Sequence, residues 1–423
     1  MTGDRTASVQ WLALGFVGLV ACAAGPGAAP RASGGGTAGA TAFLEGTLRP
    51  WPHPDSPGLL AITDPTTGRV GTYDSALVAL ALLRAGDRDR AGRIVRGMAS
   101  LQRPDGGIPF SFTLPGPDDS QPYERSGAIA WAGYAAVEYL DAEPGGDARE
   151  DALALAHRAA AYLIRREVAR PGDPRDGLVL GGNGTFVYVT AADGVREAYV
   201  PGEVDWASVE HNVDTYFFLR ALARITGTAT YAESANRVAR GLRQRAWSPD
   251  EGQLAQGFGE EGPDPTGALD CASWGSVFLA ADGEAARADT AAAVADERYA
   301  SRDPRSGVHG HRPYAKGPVF DEVALMQQYA SRLPAPTWDR LDVVWPEGSA
   351  GVAFAALRQG RVERAREILD ALEPLRAPDG SLPTATIEVP YILDTRPSIA
   401  GTAWVELVRF ELSRPKGQPT LWP

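Results

Sequence analysis

Apolar and polar positions along the chain recur in paired segments, and the pairs repeat about every 60 to 75 residues. The first segment of each pair is apolar nearly all round, whereas the second has one apolar stripe opposite a face rich in Arg and Glu. A helix that is apolar on all sides is surrounded by protein, and a helix with a single apolar stripe covers a core from outside. The pattern therefore predicts helical hairpins, each with an inner and an outer helix.

Five such hairpins can be aligned. Their inner helices are predicted at YDSALVALALLRAG, RSGAIAWAGYAAVEYLDA, WASVEHNVDTYFFLRALARITG, ALDCASWGSVFLAADG and PEGSAGVAFAALRQG. A sixth apolar segment, PSIAGTAWVELVRFEL, has no outer helix after it, and TAFLEGTLRPW at the start of the folded region can supply one. The alternative is an open solenoid, which leaves the terminal apolar faces exposed. We therefore predict an all-α fold, an (α/α)6-type toroid of helical hairpins.

Few segments alternate between apolar and polar residues with the period of a strand. The best candidates are GTFVYVTA at 184–191 and GQLAQGF at 252–258, which we expect to form short β-hairpins on the toroid rim. Residues 302–346 interrupt the repeat and include a helix candidate, DEVALMQQYASRL. We expect this insertion to lie over the mouth of a toroid domain that spans residues 42–423.

The N-terminus has the features of a targeting segment. Residues 1–22 combine a polar opening with a short apolar run, which is typical of a signal peptide and too short to span a bilayer. The run ends in LVAC, which is similar to a bacterial lipobox and predicts lipidation at Cys22; the alternative is a plain secretory signal. Residues 23–41 are rich in Gly, Ala and Pro, and predict a flexible tether. We therefore expect an exported protein that is anchored to a bacterial membrane by lipid alone.

Composition and charge exclude several classes of ligand and cofactor. The formal net charge of −12, without a dense basic run, argues against a nucleic-acid ligand. Only Cys271 remains once Cys22 is used, so an internal disulfide is not expected. No dinucleotide or phosphate-binding fingerprint stands in the right context, and the HGH pair lacks matched ligands, so neither a cofactor nor a metal is predicted. We expect a monomer.

The loops that lead into the inner helices meet at one end of such a toroid. Aromatic, acidic and basic residues collect there: Tyr73, Asp74, Tyr123, Glu124, Arg125, Asp205, Trp206, Glu210, His211, Asp270, Trp274, Trp345, Glu347 and Arg396, with Asp214 one helical turn after Glu210. Indole rings stack on the apolar faces of sugars, and carboxylates accept hydroxyl hydrogen bonds and perform acid/base chemistry. The predicted ligand is therefore a carbohydrate.

The turns RPDGGIPF and APDGSLPT, together with EHNVD and WPEGSAG, resemble those of the six-hairpin glycosidase-like superfamily of exported bacterial proteins. The resemblance covers roughly residues 43–412 and concerns a fold pattern rather than a diagnostic signature. It implies glycan chemistry without a linkage, because the superfamily also contains polysaccharide lyases, sugar epimerases and unsaturated-glycuronyl hydrolases.

We expect a glycoside hydrolase that uses two carboxylates, with Glu210 and Glu347 as the pair and Asp74 or Asp270 as a substitute. Trp206, Trp274, Trp345, Tyr73, Tyr123, Glu124, His211, Asp214 and Arg396 are expected to bind the substrate. Structural alternatives stay open for several of these side chains.

Helix capping or pairing with the helix dipole is the structural alternative for Asp74 and Asp270, and capping is our prediction for Asp205. Glu124 has an ion pair with Arg125 as its alternative, and His211 has a structural hydrogen bond. Two other functions also remain open. One is a glycan-binding lipoprotein without catalysis, and the other is a lyase or epimerase that uses His211 or a Tyr as base.

Overall fold

The structure, a computed structural model, describes residues 37–52, 57–264, 266–320, 322–414 and 421–423. Thirteen α-helices dominate these residues. They are α1 (Thr37–Gly46), α2 (Thr72–Ala85), α3 (Arg88–Leu101), α4 (Ser126–Ala142), α5 (Arg149–Arg165), α6 (Val209–Thr226), α7 (Ala229–Gly241), α8 (Leu269–Ala281), α9 (Ala285–Arg298), α10 (Val323–Tyr329), α11 (Pro346–Arg358), α12 (Val362–Leu372) and α13 (Ile399–Ser413).

Six helices close into an inner ring. Helix α2 packs against α4, α4 against α6, α6 against α8, α8 against α11, α11 against α13, and α13 returns to α2. Helices α3, α5, α7, α9 and α12 each pack outside the inner helix that precedes them, and α1 packs on α13 as the sixth outer helix. The predicted (α/α)6 toroid is confirmed, and so is the N-terminal partner of the last inner helix.

Burial follows the two hydrophobic patterns. Every residue of α4 from Ser126 to Leu140 is buried, whereas α12 buries only Ala365, Ile368, Leu369 and Leu372, a stripe at helical spacing. Small residues let the inner helices approach closely, since a Cβ at Gly133 of α4 would lie 2.4 Å from the Phe218 ring of α6. The ring is therefore tightly packed as well as closed.

Short antiparallel strands lead the chain into the inner helices. Strands β3, β5, β8 and β16 each end directly before α2, α4, α6 and α13, and each pairs with a neighbouring strand on the rim. The strands are β1 (Leu48–Trp51), β2 (Gly58–Asp64), β3 (Arg69–Gly71), β4 (Ser111–Thr113), β5 (Glu124–Arg125), β6 (Gly182–Ala191), β7 (Gly194–Val204), β8 (Ala207–Ser208), β9 (Trp247–Ser248), β10 (Gln253–Leu254), β11 (Gly257–Gly259), β12 (Gly262–Pro263), β13 (Ala300–Arg302), β14 (His309–His311), β15 (Leu382–Pro383) and β16 (Pro397–Ser398).

The β6–β7 hairpin is longer than the short rim hairpin that was predicted there. Its strands have 10 and 11 residues, and they pair from Gly182 and Val204 to the turn at Ala191 and Gly194. Strand β7 was missed because its sequence, GVREAYVPGEV, does not alternate cleanly. Helix α10, from the predicted insertion, packs against both strands.

The end of the ring away from these strands is filled by residues 421–423. Trp422 stacks on Phe217 of α6, with ring centroids 4.6 Å apart and an interplanar angle of 3°, and it is 1 % exposed. Its backbone N–H donates to the Tyr134 hydroxyl at 2.9 Å. The N–H of Leu421 donates to Glu411 near the C-terminal end of α13. This segment therefore closes the toroid floor, a feature with no signal in the helical repeat.

The N-terminal predictions have different outcomes at their boundaries. The predicted signal peptide, Cys22 and most of the tether lie outside the described residues. Helix α1 begins at Thr37, so the last five residues assigned to the tether are helical. Among the described helices, none has the length and apolarity needed to cross a bilayer. Cys271 is buried with a free thiol.

Candidate active site

A cavity of about 710 Å³ opens among the N-terminal ends of the inner helices. Most of the residues predicted for the mouth line it, although they are far apart in sequence. They are Tyr73, Asp74, Trp206, Glu210, His211, Asp214, Asp270, Trp274, Trp345, Glu347 and Arg396. The toroid thus brings together carboxyl groups from four inner helices.

Each acid stands in the first or second turn of its helix. Asp74 belongs to α2, Glu210 and Asp214 to α6, Asp270 to α8 and Glu347 to α11. The exposed backbone N–H groups of a helix N-terminus favour negative charge, which partly explains why acids are accepted there. Within the described residues, none of the five forms an ion pair with Lys or Arg.

Glu210 has the least support for a negative charge. Burial raises its pKa well above the usual range, and the nearby carboxyls of Asp270, Asp214 and Glu347 raise it further, in that order. No described group donates a hydrogen bond that opposes these effects. Its side chain keeps partial exposure toward the cavity. Glu210 therefore favours its protonated form and faces the space where a ligand fits.

Glu347 is held by a hydrogen-bond relay. The indole N–H of Trp404 donates to the Tyr73 hydroxyl at 2.7 Å, and that hydroxyl donates to Glu347 Oε1 at 2.8 Å. Burial raises the pKa of Glu347 to about 8, while the hydrogen bond from Tyr73 lowers it in part. Glu347 therefore has stabilisation for its anion that Glu210 lacks, and the two acids are unequal.

Asp214 and Asp270 each have a buried Oδ1 atom without a hydrogen-bond partner. Burial, followed by the charge of Asp270, raises the pKa of Asp214 well above its usual range. Burial raises the pKa of Asp270 to about 7. Asp270 also raises the pKa of both Glu210 and Glu347, so its charge affects three of the other four acids.

Asp74 lies on the cavity wall, and its anion is better stabilised than those of Asp214 and Asp270. Its carboxylate accepts a hydrogen bond from Thr63 Oγ1, and the charge of Arg69 also lowers its pKa. Burial is the largest effect, and the resulting pKa is about 6. Its helix begins after Gly71 without a side-chain cap, so capping by Asp74 is wrong, whereas its place in the first turn of α2 agrees with the dipole alternative.

The other capping predictions are also wrong. Helix α8 has no side-chain cap at Ala268, so Asp270 is not a cap. Asp205 is exposed, and the cap of α6 is Ser208, whose hydroxyl accepts from the backbone N–H of His211. The short strand β8 lies between Asp205 and the helix, which moves the start of α6 three residues further along.

His211 has one ring nitrogen, Nδ1, without a partner, so the structural hydrogen bond proposed for it is absent at that atom in the described residues. Burial first, and then the charge of Arg125, lower the pKa of His211 to about 3. The imidazole is therefore neutral at physiological pH. It packs against α4, where a Cβ at Gly127 would lie 2.3 Å from the ring.

The cavity walls are rich in indole rings. Trp274 stacks on Trp404 with centroids 5.2 Å apart at 24°, and Trp206 lies against Gly257, where a Cβ would be 2.0 Å from the ring. Trp131 also lines the cavity, but it was not among the predicted site residues. Its signal was available, because Trp131, Asp214 and Trp274 each occupy the sixth position of an inner helix.

Tyr123 and Glu124 lie outside the cavity, contrary to expectation. Glu124 is 1 % exposed and accepts hydrogen bonds from Arg103 at 2.9 Å and from the Tyr162 hydroxyl at 2.8 Å. Tyr123 packs edge-on against Phe110, with ring centroids 5.3 Å apart. Both residues belong to the chain that leads into α4, and β5 turns their side chains into the outer packing.

The ion-pair alternative for Glu124 is confirmed, but its partner is Arg103 rather than the neighbouring Arg125. Arg125 donates to Gly184 O at 2.7 Å and to Thr185 Oγ1 at 2.9 Å, and its guanidinium lies over the Tyr123 ring at 4.4 Å. Arg396 does lie at the cavity mouth, where it donates to Asp394 at 2.7 Å and to Asp64 at 2.5 Å. Its charge is therefore already matched by two carboxylates.

Among the described residues, no three His, Cys, Asp or Glu side chains converge closely enough to hold a metal ion. The five carboxyls are instead distributed around a space of sugar size. Such a cavity can surround a small polar molecule with acids on its walls and indole faces beside them.

Comparison with known proteins supports the fold only. No family model matches the chain, and no curated protein matches it. A glycosidase variant in complex with glucose has a TM-score of 0.58 at 16% identity, over 88% of this chain and 95% of that one. The chain has the fold of the six-hairpin glycosidase-like toroids.

Two further solved structures share this toroid. A D-mannose isomerase has a TM-score of 0.59 at 12% identity, over 89% of this chain and 95% of that one. A family 76 glycoside hydrolase from a bovine Bacteroides thetaiotaomicron strain has a TM-score of 0.53 at 11% identity, over 89% of this chain and 77% of that one. The toroid thus serves more than one chemistry, and the choice among them rests on the cavity.

Proposed function

We propose that the protein is a glycoside hydrolase that cleaves a glycan in the toroid cavity. The observation that carries this proposal is the pair of unequal acids, Glu210 and Glu347, in a cavity walled by indole rings. Hydrolysis of a glycosidic bond needs one carboxylic acid to protonate the leaving oxygen and one carboxylate to activate water or attack the anomeric carbon. The similarity to glycosidase structures agrees with this chemistry.

Glu210 acts as the general acid in this proposal. Each of its neighbours favours the protonated form, so it holds a proton while Glu347 ionises. Glu347 then acts as base or nucleophile, because the Tyr73 hydroxyl donates to its Oε1 atom and supports its anion. Asp74 and Asp270 are the substitutes if one of these roles is misplaced.

A sugar isomerase or epimerase is the second candidate. The observation that favours it is the neutral His211 in the cavity, whose Nδ1 atom has no partner among the described residues; its pKa of about 3 makes it a weak base, which keeps this candidate second. A uronan lyase is less well supported. It needs a cation to neutralise the uronate, and Arg396 at the mouth is already held by Asp394 and Asp64.

The test is incubation of the purified protein with panels of α- and β-linked oligosaccharides, with the products identified by mass. Glu210→Gln and Glu347→Gln are each expected to reduce hydrolysis by about 100-fold or more, as loss of an acid/base group does. Glu203→Gln, at an exposed glutamate of β7, is the matched control and should retain activity. Activity retained by both cavity variants would overturn the assignment.

The same panel separates the candidates. A product of unchanged mass that disappears in His211→Ala, with no cleavage in any reaction, would favour the isomerase. Binding of oligosaccharides without turnover would favour a glycan-binding protein.

We also propose that Cys22 carries a lipid that anchors the exported protein. The LVAC sequence after the apolar run supports this. Cys22→Ser is expected to abolish metabolic labelling with palmitate and to move the protein into the soluble fraction. Labelling that survives in this variant would contradict the proposal.

A further inference from the structure

The cavity holds more acids than hydrolysis needs. Two carboxyls suffice for cleavage, yet Asp74, Asp214 and Asp270 also line the space. Among the described lining residues, the cations are Arg49 and Arg396. Neither of them compensates the three additional acids.

The two arginines are occupied at the rim. Arg396 is matched by Asp394 and Asp64. Arg49 is exposed, and its guanidinium donates to the backbone oxygens of Gly46 and Leu48, both at 2.8 Å. Asp214 and Asp270 therefore receive no counter-charge from the two lining arginines, whereas the charge of Arg69 acts on Asp74.

The Oδ1 atoms of Asp214 and Asp270 are the acceptors that a positively charged group could reach. Asp214 is 3 % exposed, and its Oδ1 atom has no hydrogen-bond partner. Asp270 also has an unpartnered Oδ1 and lines the same cavity; its charge raises the pKa of Asp214, while a hydrogen bond from Trp131 lowers that pKa in part. A buried acceptor without a donor is costly unless a ligand supplies one.

A metal ion does not fit this arrangement, since the described acids do not converge on one point. An organic cation does fit, because it does not need ligands that converge on one point and the rest of the molecule can fill the cavity. The indole of Trp274 lines the same cavity and adds a face that attracts both sugar rings and ammonium groups.

We propose that the cavity selects a saccharide that bears a protonated amine, with Asp214 and Asp270 receiving the ammonium group. This inference rests on the proposed glycosidase function and names the substrate class: amino sugars first, neutral sugars next, and uronic acids last. Asp214 and Asp270 bind the substrate, while Glu210 and Glu347 remain the reacting pair.

Proton release is a further consequence. Burial raises the pKa values of Asp214 and Asp270, and the charge of Asp270 raises that of Asp214 further, so these carboxyls favour their protonated forms. An ammonium group that approaches these carboxyls favours their anions and displaces protons to solvent. A neutral sugar does not favour the anions in this way.

The test is calorimetric titration of the wild-type protein with glucosamine, galactosamine and mannosamine, each beside its neutral parent sugar, and with glucuronic and galacturonic acid. At neutral pH we expect at least one amine to bind about tenfold or more tightly than its parent, as charge-assisted hydrogen bonds imply. Titrations in buffers of different ionisation enthalpy should show proton release for the amine alone. Methylammonium controls for binding of charge without a sugar ring.

Variants locate the subsite. Asp270→Asn is expected to remove the tenfold preference for the amine while the affinity for the parent sugar changes by less than about threefold. Glu203→Gln removes an exposed acid outside the cavity, so it should leave the preference in place. Parent sugars that bind as tightly as the amines, methylammonium that binds as tightly as the amino sugars, or a preference unchanged in Asp270→Asn, would overturn the inference.

The two proposals fail separately. An amine preference without cleavage of any glycan contradicts only the glycosidase function. Cleavage of neutral glycans without an amine preference contradicts only the subsite.

Discussion

The inner helices carry buried acids at both ends of the toroid, and the two ends treat them differently. Toward the floor, Glu138 of α4 forms an ion pair with Arg84 at 2.6 Å, and Glu411 of α13 forms one with Arg414 at 3.2 Å. At the mouth, Glu210 and Asp270 have no such partner among the described residues. The chain has 41 Lys and Arg residues, so a shortage of cations does not explain the difference.

The contrast indicates that the unpaired acids at the mouth lower the stability of the fold and are kept for function. Paired buried acids can remain ionised, whereas unpaired ones bind protons and lower the stability of the fold as pH rises. Strained or costly groups concentrate where a protein binds or reacts. The floor serves the fold, and the mouth serves the proposed chemistry.

The largest effect is expected at the floor. Arg84→Met leaves Glu138 buried without its partner and should lower the free energy of unfolding by about 3–5 kcal/mol. Urea denaturation measures this loss. Arg88→Met, which breaks the exposed pair with Glu143, is the control and should cost about 0–1 kcal/mol. Equal losses in the two variants would remove the basis for the comparison.

The mouth should respond in the opposite direction. Asp214→Asn removes an unpaired buried acid and should raise the free energy of unfolding at about pH 8 by roughly 1–3 kcal/mol. The pKa of Asp214 is raised in the folded state, so its cost is absent below the unfolded pKa near 3.8 and grows as pH rises. The gain should therefore vanish at about pH 4. A loss of stability at both pH values would contradict this account.

A smaller effect concerns the acidic limb of the pH–rate profile, which reports ionisation of Glu347. Asp270 raises the pKa of Glu347 and the Tyr73 hydroxyl lowers it. Asp270→Asn should therefore move the limb to lower pH, and Tyr73→Phe should move it to higher pH, each by on the order of half a pH unit to one unit. The kcat/KM profiles measure both shifts. Shifts of the same sign would contradict the assignment of Glu347.

The smallest effect is expected for Asp74→Asn. Asp74 raises the pKa of Glu347 less than Asp270 does. The acidic limb should move in the same direction as in Asp270→Asn, by roughly half as much or less. The same kcat/KM profiles supply the comparison, and a shift larger than that of Asp270→Asn would reverse the proposed order of influence.

The sequence predicted the ring because inner and outer helices differ in hydrophobic period, and that difference is local. Glu210, Asp270 and Glu347 followed from it, since each stands at the second position of an inner helix whose start was recognisable. The helix repeat therefore predicted the positions of these three mouth acids as well as the fold.

The direction of side chains in the loops was harder to predict from the sequence. Tyr123 and Glu124 precede an inner helix like the others, but β5 turns them outward to Arg103 and Tyr162. A strand of two residues leaves no periodic signal. Position relative to a helix start was informative, and position within the preceding loop was not.

Long-range packing also lay beyond the sequence pattern. Trp422 fills the floor through contacts with Trp131 and Phe217, which are hundreds of residues away in sequence. Strand β7 forms because it pairs with β6, although its own pattern is irregular. Tertiary contacts decide such cases, and they have no local period.

The most direct test of the account is the infrared C=O stretch of protonated carboxyl groups at neutral pH. The account predicts this band in the wild-type protein, a weaker band in the Glu210→Gln/Asp214→Asn double variant, and an unchanged band in Glu138→Gln, whose acid is paired. Absence of the band in the wild-type protein, or a band that the mouth variants leave unchanged, would contradict the claim that the mouth acids hold protons.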